Sequence, residues 1–228
     1  MKKNLLAIDT STERATIAIS AHGKVYSEEQ TNLRQHAQCL LPMIDSLLIK
    51  SGLALKQLDG IVFGCGPGSF TGLRITCSVA KALAYAHDLP LFSVSSLQAI
   101  AQEAYESEPD IDASVGVLAL LDARMHEVYW AYFDQSMVFI NTESYVSSAV
   151  DIVLSVDKPF ILAGVGLDTY AQQLSSVLQA RILKQRVIFP NAEAMIRLAQ
   201  TGKIQPVSAA DALPIYVRNQ VTQGDKRG

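Results

Sequence analysis

A glycine-rich loop connects a short apolar run to an alanine-rich helical pattern between Gly60 and His87. The run GIVFGCG is typical of a buried strand, and the alanines between Ala80 and Ala86 favour a helix. A strand that passes through a loop into a helix is the repeating unit of α/β folds. Such a loop serves one of two purposes: it binds phosphate at the start of the helix, or it shapes a surface for a partner.

The well-known phosphate-binding loops require residues that this loop lacks. A Walker A loop has a lysine after its last glycine, whereas Leu73 follows Gly72 here. The dinucleotide fingerprint G-x-G-x-x-G meets Ser69 in place of its third glycine, and the later stretch GVGLDT meets Thr169 there. Two alternatives stay open: a generic anion site on free N–H groups, and glycines that allow unusual backbone angles and close approach of a neighbouring chain.

Strand-like and helix-like patterns alternate along the rest of the chain. The residue pattern predicts strands over NLLAID, RATIAIS, GKVYSEEQ, PLFSVSS, ASVGVLALLDA, HEVYWAYF, PFILAGVG and RVIFP. It predicts helices over Leu33–Ile49, LQAIAQEAYES, SAVDIVLS, TYAQQLSSVLQ and NAEAMIRLAQTG. Both halves open with strands and end with helices over strands. We therefore expect an α/β fold of two lobes, residues 1–105 and 106–228, which meet near the acidic stretch ESEPDIDA.

The composition predicts a folded cytoplasmic protein. Hydrophobic residues make up 49% of the chain and charged residues 18%, which favours a buried core. The apolar runs are far shorter than the about 20 residues of a membrane helix, and Asp9 interrupts the early apolar stretch before it resembles a signal peptide. The three cysteines form no C-x-x-C pair. A net charge of −3 does not favour binding to the phosphate backbone of a nucleic acid, so we expect another subunit to supply any basic surface.

Groups that carry catalysis are sparse in the sequence. The four histidines are scattered, and neither a metal-binding pair nor a nucleophile elbow is found; we therefore predict no catalytic residue and no metal site. In LAIDTST, Asp9 could hold a metal-bound water and the following hydroxyls could contact phosphate, or the segment is a capped turn. In DARMHEVYW we favour a structural ion-pair cluster of Asp122, Arg124 and Glu127. Cys65 is either a reactive thiol or, as we favour, a small buried residue.

Two predicted helices, Leu33–Ile49 and the alanine-rich helix that follows the glycine loop, carry apolar residues on more than one side. A helix with such a wide apolar surface is buried on a second side as well. The second neighbour is either another protein or another part of the same core. The pattern alone leaves both alternatives open.

Four motifs together resemble the bacterial TsaB family, also called YeaZ: LLAIDTST, GPGSFTGLR, DARMHEVYWAYF and the YVR of Tyr216–Arg218. The resemblance implies the two-lobed actin-like, Hsp70-like ATPase (ASKHA) fold, with mixed sheets flanked by helices. It also implies a role in making threonylcarbamoyladenosine next to the anticodon of tRNAs that read codons beginning with A. In that system TsaD is catalytic, TsaB is its non-catalytic partner, and TsaE is an ATPase that assists them. Contact with tRNA would be made only through the complex.

The resemblance places the contact with TsaD, or with a second copy in a homodimer, on two helices. The implied interface residues are Leu33, His36, Leu40, Leu41, Ile44, Leu47, Phe70, Leu73, Ile75, Val79 and Leu83.

The chain departs from the catalytic TsaD pattern in its metal and nucleotide motifs. Where TsaD carries a histidine pair for metal, only His36 is present, and GVGLDT is a degenerate adenosine motif. LAIDTST keeps the first phosphate motif, so a residual nucleotide contact at Asp9, Thr10 and Ser11 stays open. We expect no cofactor requirement in this chain, with ATP or ADP at the TsaD interface as an open alternative. The rival functions are a glycoprotease-type metallopeptidase and a small-molecule kinase of the same fold.

Overall fold

The structure, a computed structural model, describes residues 3–31, 36–135 and 143–218, and for His36 the backbone alone. Its strands and α-helices follow in this order: β1 Leu5–Asp9, β2 Ala15–Ala21, β3 Lys24–Gln30, α1 His36–Ser51, β4 Gly60–Gly66, α2 Phe70–His87, β5 Leu91–Ser95, α3 Ser96–Glu106, β6 Gly116–Arg124, β7 Glu127–Phe133, β8 Tyr145–Ser147, β9 Phe160–Gly164, α4 Leu167–Tyr170, α5 Ser176–Gln179, β10 Ile182–Val187, α6 Ala192–Gln200 and β11 Pro206–Val207.

Two mixed sheets with the same topology form the framework. The first sheet has the order β11-β5-β4-β1-β2-β3, and the second has the order β10-β9-β6-β7-β8. In each, three antiparallel strands in succession are followed by two strands that add in parallel beside the first. Strands β6 to β10 therefore repeat the arrangement of β1 to β5, although the sequence shows no obvious repeat.

Three apolar clusters hold the layers together. One lies between the sheets around α3 and α6, and it includes Leu5 and Val62 of the first sheet with Val117 and Ile161 of the second. A second cluster lies under α1 and α2 on the outer face of the first sheet. A third covers the outer face of the second sheet. Because the central strands are covered on both faces, β1, β2 and β4 are buried throughout.

Most predicted elements are found, and three need correction. The stretch SAVDIVLS contains only a short 3-10 helix, Ala149–Asp151. The single helix predicted over TYAQQLSSVLQ is interrupted, because Leu174 is extended and buried, and the Ser175 side chain then caps α5. The strand predicted over RVIFP begins earlier, at Ile182, and ends at Val187.

The division into residues 1–105 and 106–228 stays a prediction. Two elements that follow the boundary lie against the first sheet, since α6 packs on β1 and β2 and β11 pairs with β5. Within the part of the chain that the structure describes, no helix has the length and apolar character needed to cross a membrane.

Candidate functional site

Five segments meet at a cleft between the two sheets. They are the loop after β1, the glycine loop before α2, the turn between β6 and β7, the loop after β9, and the segment Ile215–Arg218. The cleft has a volume of about 680 Å³. It lies beyond the carboxyl ends of β1 and β4, a common position for ligands in α/β folds.

The glycine loop lies directly against the loop after β1. The Ser69 N–H donates to the Ser11 carbonyl at 2.7 Å, and a Cβ on Gly68 would lie 2.4 Å from that same oxygen. A Cβ on Gly72 would lie 1.8 Å from the Thr10 carbonyl oxygen. The glycines are therefore needed for the close approach of two backbones, which is the second of the alternatives left open by the sequence.

The Thr10 hydroxyl makes two hydrogen bonds to α2. Its hydroxyl donates to the Gly72 carbonyl at 2.7 Å and lies 2.7 Å from the Thr76 hydroxyl. Because Thr10 and Thr76 are both completely buried, these hydrogen bonds tie the loop after β1 to the first turns of α2.

Asp9 is a completely buried carboxylate. Its Oδ1 accepts hydrogen bonds from the Ser11 N–H at 3.0 Å and the Ser11 hydroxyl at 2.8 Å. Its Oδ2 has no hydrogen-bond partner and lies against Gly64, where a Cβ would be 1.8 Å from it. Burial raises the pKa of Asp9 to about 6, against the opposing effect of the two hydrogen bonds from Ser11.

The predicted nucleotide residues do not fit a magnesium nucleotide in this cleft. Of Asp9, Thr10 and Ser11, only Ser11 lines the cleft, and the free oxygen of Asp9 points at Gly64. Phosphate sites use free backbone N–H groups. Here the N–H of Ser11 donates to Asp9 and the N–H of Ser69 donates to Ser11. The geometry of these three residues therefore does not support a nucleotide bound between the lobes.

The turn between β6 and β7 has an unusual backbone. Arg124, Met125 and His126 all have positive φ, at 64°, 55° and 61°, a conformation that costs non-glycine residues energy. Asp122 supports the turn, because its Oδ1 accepts from the Arg124 N–H at 2.8 Å and from the Tyr170 hydroxyl at 2.9 Å. Its Oδ2 lies 3.2 Å from the Arg124 guanidinium. The ion-pair cluster predicted here is thus present in part.

Glu127, the third predicted member of that cluster, pairs with Arg218 instead. Arg218 also contacts Met125 Sδ at 3.3 Å and the Arg124 carbonyl at 3.5 Å. The motif YVR was the only sequence signal for Arg218, and nothing in its spacing indicated Glu127 as the partner.

The cysteines are not arranged for chemistry. Burial raises the pKa of the Cys65 thiol to about 12, so the thiol stays protonated and the interpretation as a small buried residue is confirmed. Burial also raises the pKa of Cys77. Within residues 3–31, 36–135 and 143–218, no group of three or more His, Cys, Asp or Glu side chains is placed to hold a metal ion.

Four of the implied interface residues are wrong, because their side chains lie in the core of the first lobe. These are Leu40, Ile44, Leu47 and Leu73. Leu41 and Phe70 are exposed, and Ile75, Val79 and Leu83 are partly buried, so a contact through these five stays a prediction. Leu33 and the side chain of His36 lie outside the described residues.

Two exposed side chains on these helices were missed by the sequence analysis. Ile49 on α1 is 81% exposed and Tyr85 on α2 is 85% exposed. Both lie on the solvent-facing side of their helices together with Leu41 and Ala82. Their helical spacing was visible in the sequence, but the buried stripe beside them gave the stronger signal.

The repeated sheet topology and the cleft between the lobes define a two-lobed α/β protein of the actin-like, Hsp70-like class, as predicted. The family model described as TsaD, tRNA N6-adenosine threonylcarbamoyltransferase, matches residues 25–205.

A relative from Haemophilus influenzae is 36% identical over 96% of this chain and 94% of its own length. Another from Escherichia coli is 32% identical over 95% of each chain. Both are named tRNA threonylcarbamoyladenosine biosynthesis protein TsaB. A solved structure described as YeaZ from Pseudomonas aeruginosa is 34% identical and superposes with a TM-score of 0.84, over 94% of this chain and 99% of that one. The chain therefore belongs to the TsaB (YeaZ) family, as predicted.

Proposed function

We propose that this chain is a non-catalytic subunit required for threonylcarbamoyl transfer to the adenosine next to the anticodon in tRNAs that read codons beginning with A. It binds and activates TsaD, works with TsaE, and contacts tRNA only through the complex. Relatives that are named as threonylcarbamoyladenosine biosynthesis proteins support a role in this pathway. The match to the TsaD family model supports a partner of similar fold.

The exposed apolar side chains on α1 and α2 carry the proposal. The buried sides of both helices belong to one cluster on the outer face of the first sheet. Their outer sides carry Leu41 and Ile49 on α1, and Ala82 and Tyr85 on α2. Covering such side chains is favourable by roughly 1.5–3 kcal/mol for each large one, and two helices of a partner would cover them as in a four-helix bundle. The partner is TsaD, or a second copy in a homodimer when the chain is alone.

The buried groups beside the cleft support a non-catalytic role. A nucleophile needs an ionised or activated group, whereas Cys65 is held as a thiol and Thr10 is held in buried hydrogen bonds. The metallopeptidase alternative requires a set of metal ligands, and the kinase alternative requires a nucleotide on free donors. TsaD supplies the catalysis in our proposal, and ATP or ADP at its interface with this chain stays open.

The first experiment is co-purification with the cognate TsaD, followed by a threonylcarbamoyl-transfer assay from which each protein is omitted in turn. We expect transfer to require both chains. Metal-dependent peptide cleavage by this chain alone would support the first rival function. ATP-dependent phosphorylation of a small molecule by this chain alone would support the second. Either result would contradict the proposal.

An Ala82→Glu substitution tests the surface itself. Ala82 is exposed in the isolated chain, so the fold tolerates the change, but an unpaired carboxylate in an apolar contact costs about 2 kcal/mol or more. We expect a loss of roughly 30-fold or more in affinity for TsaD. Ala180→Glu, on an exposed position of the second lobe, is the matched control and should bind as the parent does. Equal binding by all three proteins would contradict the assignment of this face.

A further inference from the structure

The segment Leu213–Arg218, which we call the strap, follows β11 of the first sheet and reaches the cleft from the side of that sheet. Before it, the Lys81 ammonium on α2 donates to the carbonyls of Ala210 and Ala212, at 3.3 Å and 3.0 Å. Ala212 is buried in the cluster under α1 and α2. The strap then passes over the glycine loop, where the Ile215 N–H donates to the Cys65 carbonyl at 2.7 Å.

An aromatic contact between Phe70 and Tyr216 also binds the strap to α2. The ring of Tyr216 lies 5.3 Å from the ring of Phe70, centroid to centroid. The Arg74 guanidinium stacks 4.0 Å above Phe70 and donates to the Tyr216 hydroxyl at 3.3 Å. Both Phe70 and Arg74 belong to the first turns of α2, so the strap is fixed to the start of that helix.

The far end of the strap is bound to the second lobe. The Arg218 guanidinium pairs with the Glu127 carboxylate and also reaches the Arg124 carbonyl and Met125 Sδ. The Arg218 side chain is only 16% exposed, and a shielded ion pair is screened less by salt than an exposed one. One short segment therefore binds both walls of the cleft.

The main apolar contact between the sheets lies elsewhere, around α3 and α6. The lobes are thus joined through these helices and, across the cleft, through the strap. In two-lobed proteins that close on a ligand, the contacts that hold the lobes together across the cleft are made by the ligand. Here Asp9 and Thr10 face away from the cleft, and residues Ile215–Arg218 form part of its wall.

We infer that the strap holds the two lobes in one relative orientation without a ligand in the cleft, and that Arg218 is the residue that latches it to Glu127. The actin-like fold thus carries its own connection across the cleft in place of one made by a nucleotide. The inference goes beyond the proposed function and does not rest on it.

Distances between two spin labels, one on each lobe, test the inference. The labels are placed through Thr71→Cys and Asp168→Cys, both at exposed positions. Cys39 is replaced by serine, and Cys65 and Cys77 are buried and left in place. Labelled protein is diluted in unlabelled protein, so that the distances are those within one chain. We expect one narrow distance distribution, unchanged by millimolar ATP and magnesium.

Charge reversal then tests the latch. Arg218→Glu should broaden the distribution and shift it to longer distances, because like charges would face each other at Glu127. Combining it with Glu127→Arg should restore the narrow distribution. Lys50→Glu is the matched control, since Lys50 pairs with Glu28 inside the first lobe. Should Arg218→Glu fail to fold, Glu127→Gln removes the pair without repulsion, and Ile215→Pro removes the N–H that binds Cys65.

Every outcome of these measurements either supports or contradicts the inference about the strap. Broadening by the latch variants with rescue by the charge swap supports the inference. A parent-like distribution in the latch variants overturns it, as does a failure of the swap to restore the distribution. A shift of the parent distribution by ATP and magnesium also overturns it, since a ligand would then set the lobe orientation.

Discussion

Replacing Asp9 by asparagine should change how the free energy of unfolding depends on pH. In the folded chain the Asp9 carboxyl group is completely buried, with Oδ2 unpartnered. Burial raises its pKa from 3.8 to about 6. The unfolded chain exposes the group to water, so its pKa there is close to the ordinary value. Between these two pKa values the folded state binds a proton that the unfolded state has released.

The sign and size of the effect follow from these two pKa values. Because the folded state binds more protons, the free energy of unfolding falls as pH rises from about 4 to about 6, and the loss persists above that range. Each pKa unit corresponds to about 1.4 kcal/mol, so the raised value amounts to about 3 kcal/mol. Asparagine does not titrate, and therefore Asp9→Asn lacks this part of the pH dependence.

The difference between variant and parent is the quantity to measure. An amide nitrogen beside Gly64 is left without a partner, which costs about 1–3 kcal/mol at every pH. Relative to the parent, Asp9→Asn should therefore gain about 2.4 kcal/mol between pH 4 and pH 7, whatever the constant offset. Urea unfolding at intervals of pH gives this difference directly. Asp110→Asn, at an exposed position, controls for the loss of a surface carboxyl group. A constant difference across the pH range would refute the reasoning, because Asp9 would then ionise equally in both states.

Two further predictions concern the glycine loop and the thiols. Gly72→Ala should lower the free energy of unfolding by about 3 kcal/mol or more, since its Cβ would lie 1.8 Å from the Thr10 carbonyl; thermal unfolding measures this. Gly52→Ala, which meets no atom within 4 Å but has a φ of 69°, should cost only about 1–2 kcal/mol. With iodoacetamide at pH 8, mass spectrometry should find Cys39 modified before Cys77 and Cys65, because Cys39 is partly exposed and the other two are buried. Early modification of Cys65 would contradict a thiol whose pKa burial raises to about 12.

The fold was predictable because its local patterns are strong and mutually consistent. Apolar strand runs, helical stripes and glycine turns identify most elements, and the order of elements identifies two α/β halves. Local patterns failed where a short segment is held by its neighbours: Leu174 is extended because it is buried in the outer core of the second sheet. That burial interrupts a stretch whose spacing alone favours a helix.

The sequence indicated that α1 and α2 have wide apolar surfaces, but it did not show which residues of these helices are buried. Leu40, Ile44 and Leu47 form the regular stripe that any helix needs to pack on its own sheet, and the structure places them there. The residues left outside, such as Leu41 and Ile49, interrupt the polar side of the same helix. A sequence shows that a helix has two apolar sides, but the sheet decides which of them is buried.

The cleft was the least predictable part. Glu127 and Arg218 are separated by 91 positions in the chain, and no local spacing connects them. The direction in which the Asp9 carboxylate points likewise depends on the neighbouring strand β4, where Gly64 leaves room beside it. Sequence motifs identify the residues at such a site, whereas the packing of distant strands decides what each residue contacts.

The repeated topology explains why the cleft residues contact each other instead of leaving donors free. In each lobe, a glycine of the strand that adds in parallel to the first strand lies against that first strand. Gly64 lies against the Asp9 carboxylate, and a Cβ on Gly164 would lie 1.8 Å from the Leu120 carbonyl. In both lobes, therefore, a glycine allows an approach that a larger residue would block. In the first lobe, Gly72 and Thr10 make a further close contact, and the hydrogen bonds of the Thr10 hydroxyl fix the start of α2. A helix anchored so firmly at its first turn is well suited to present a constant outer face, and this links the glycine loop to the partner surface that we propose.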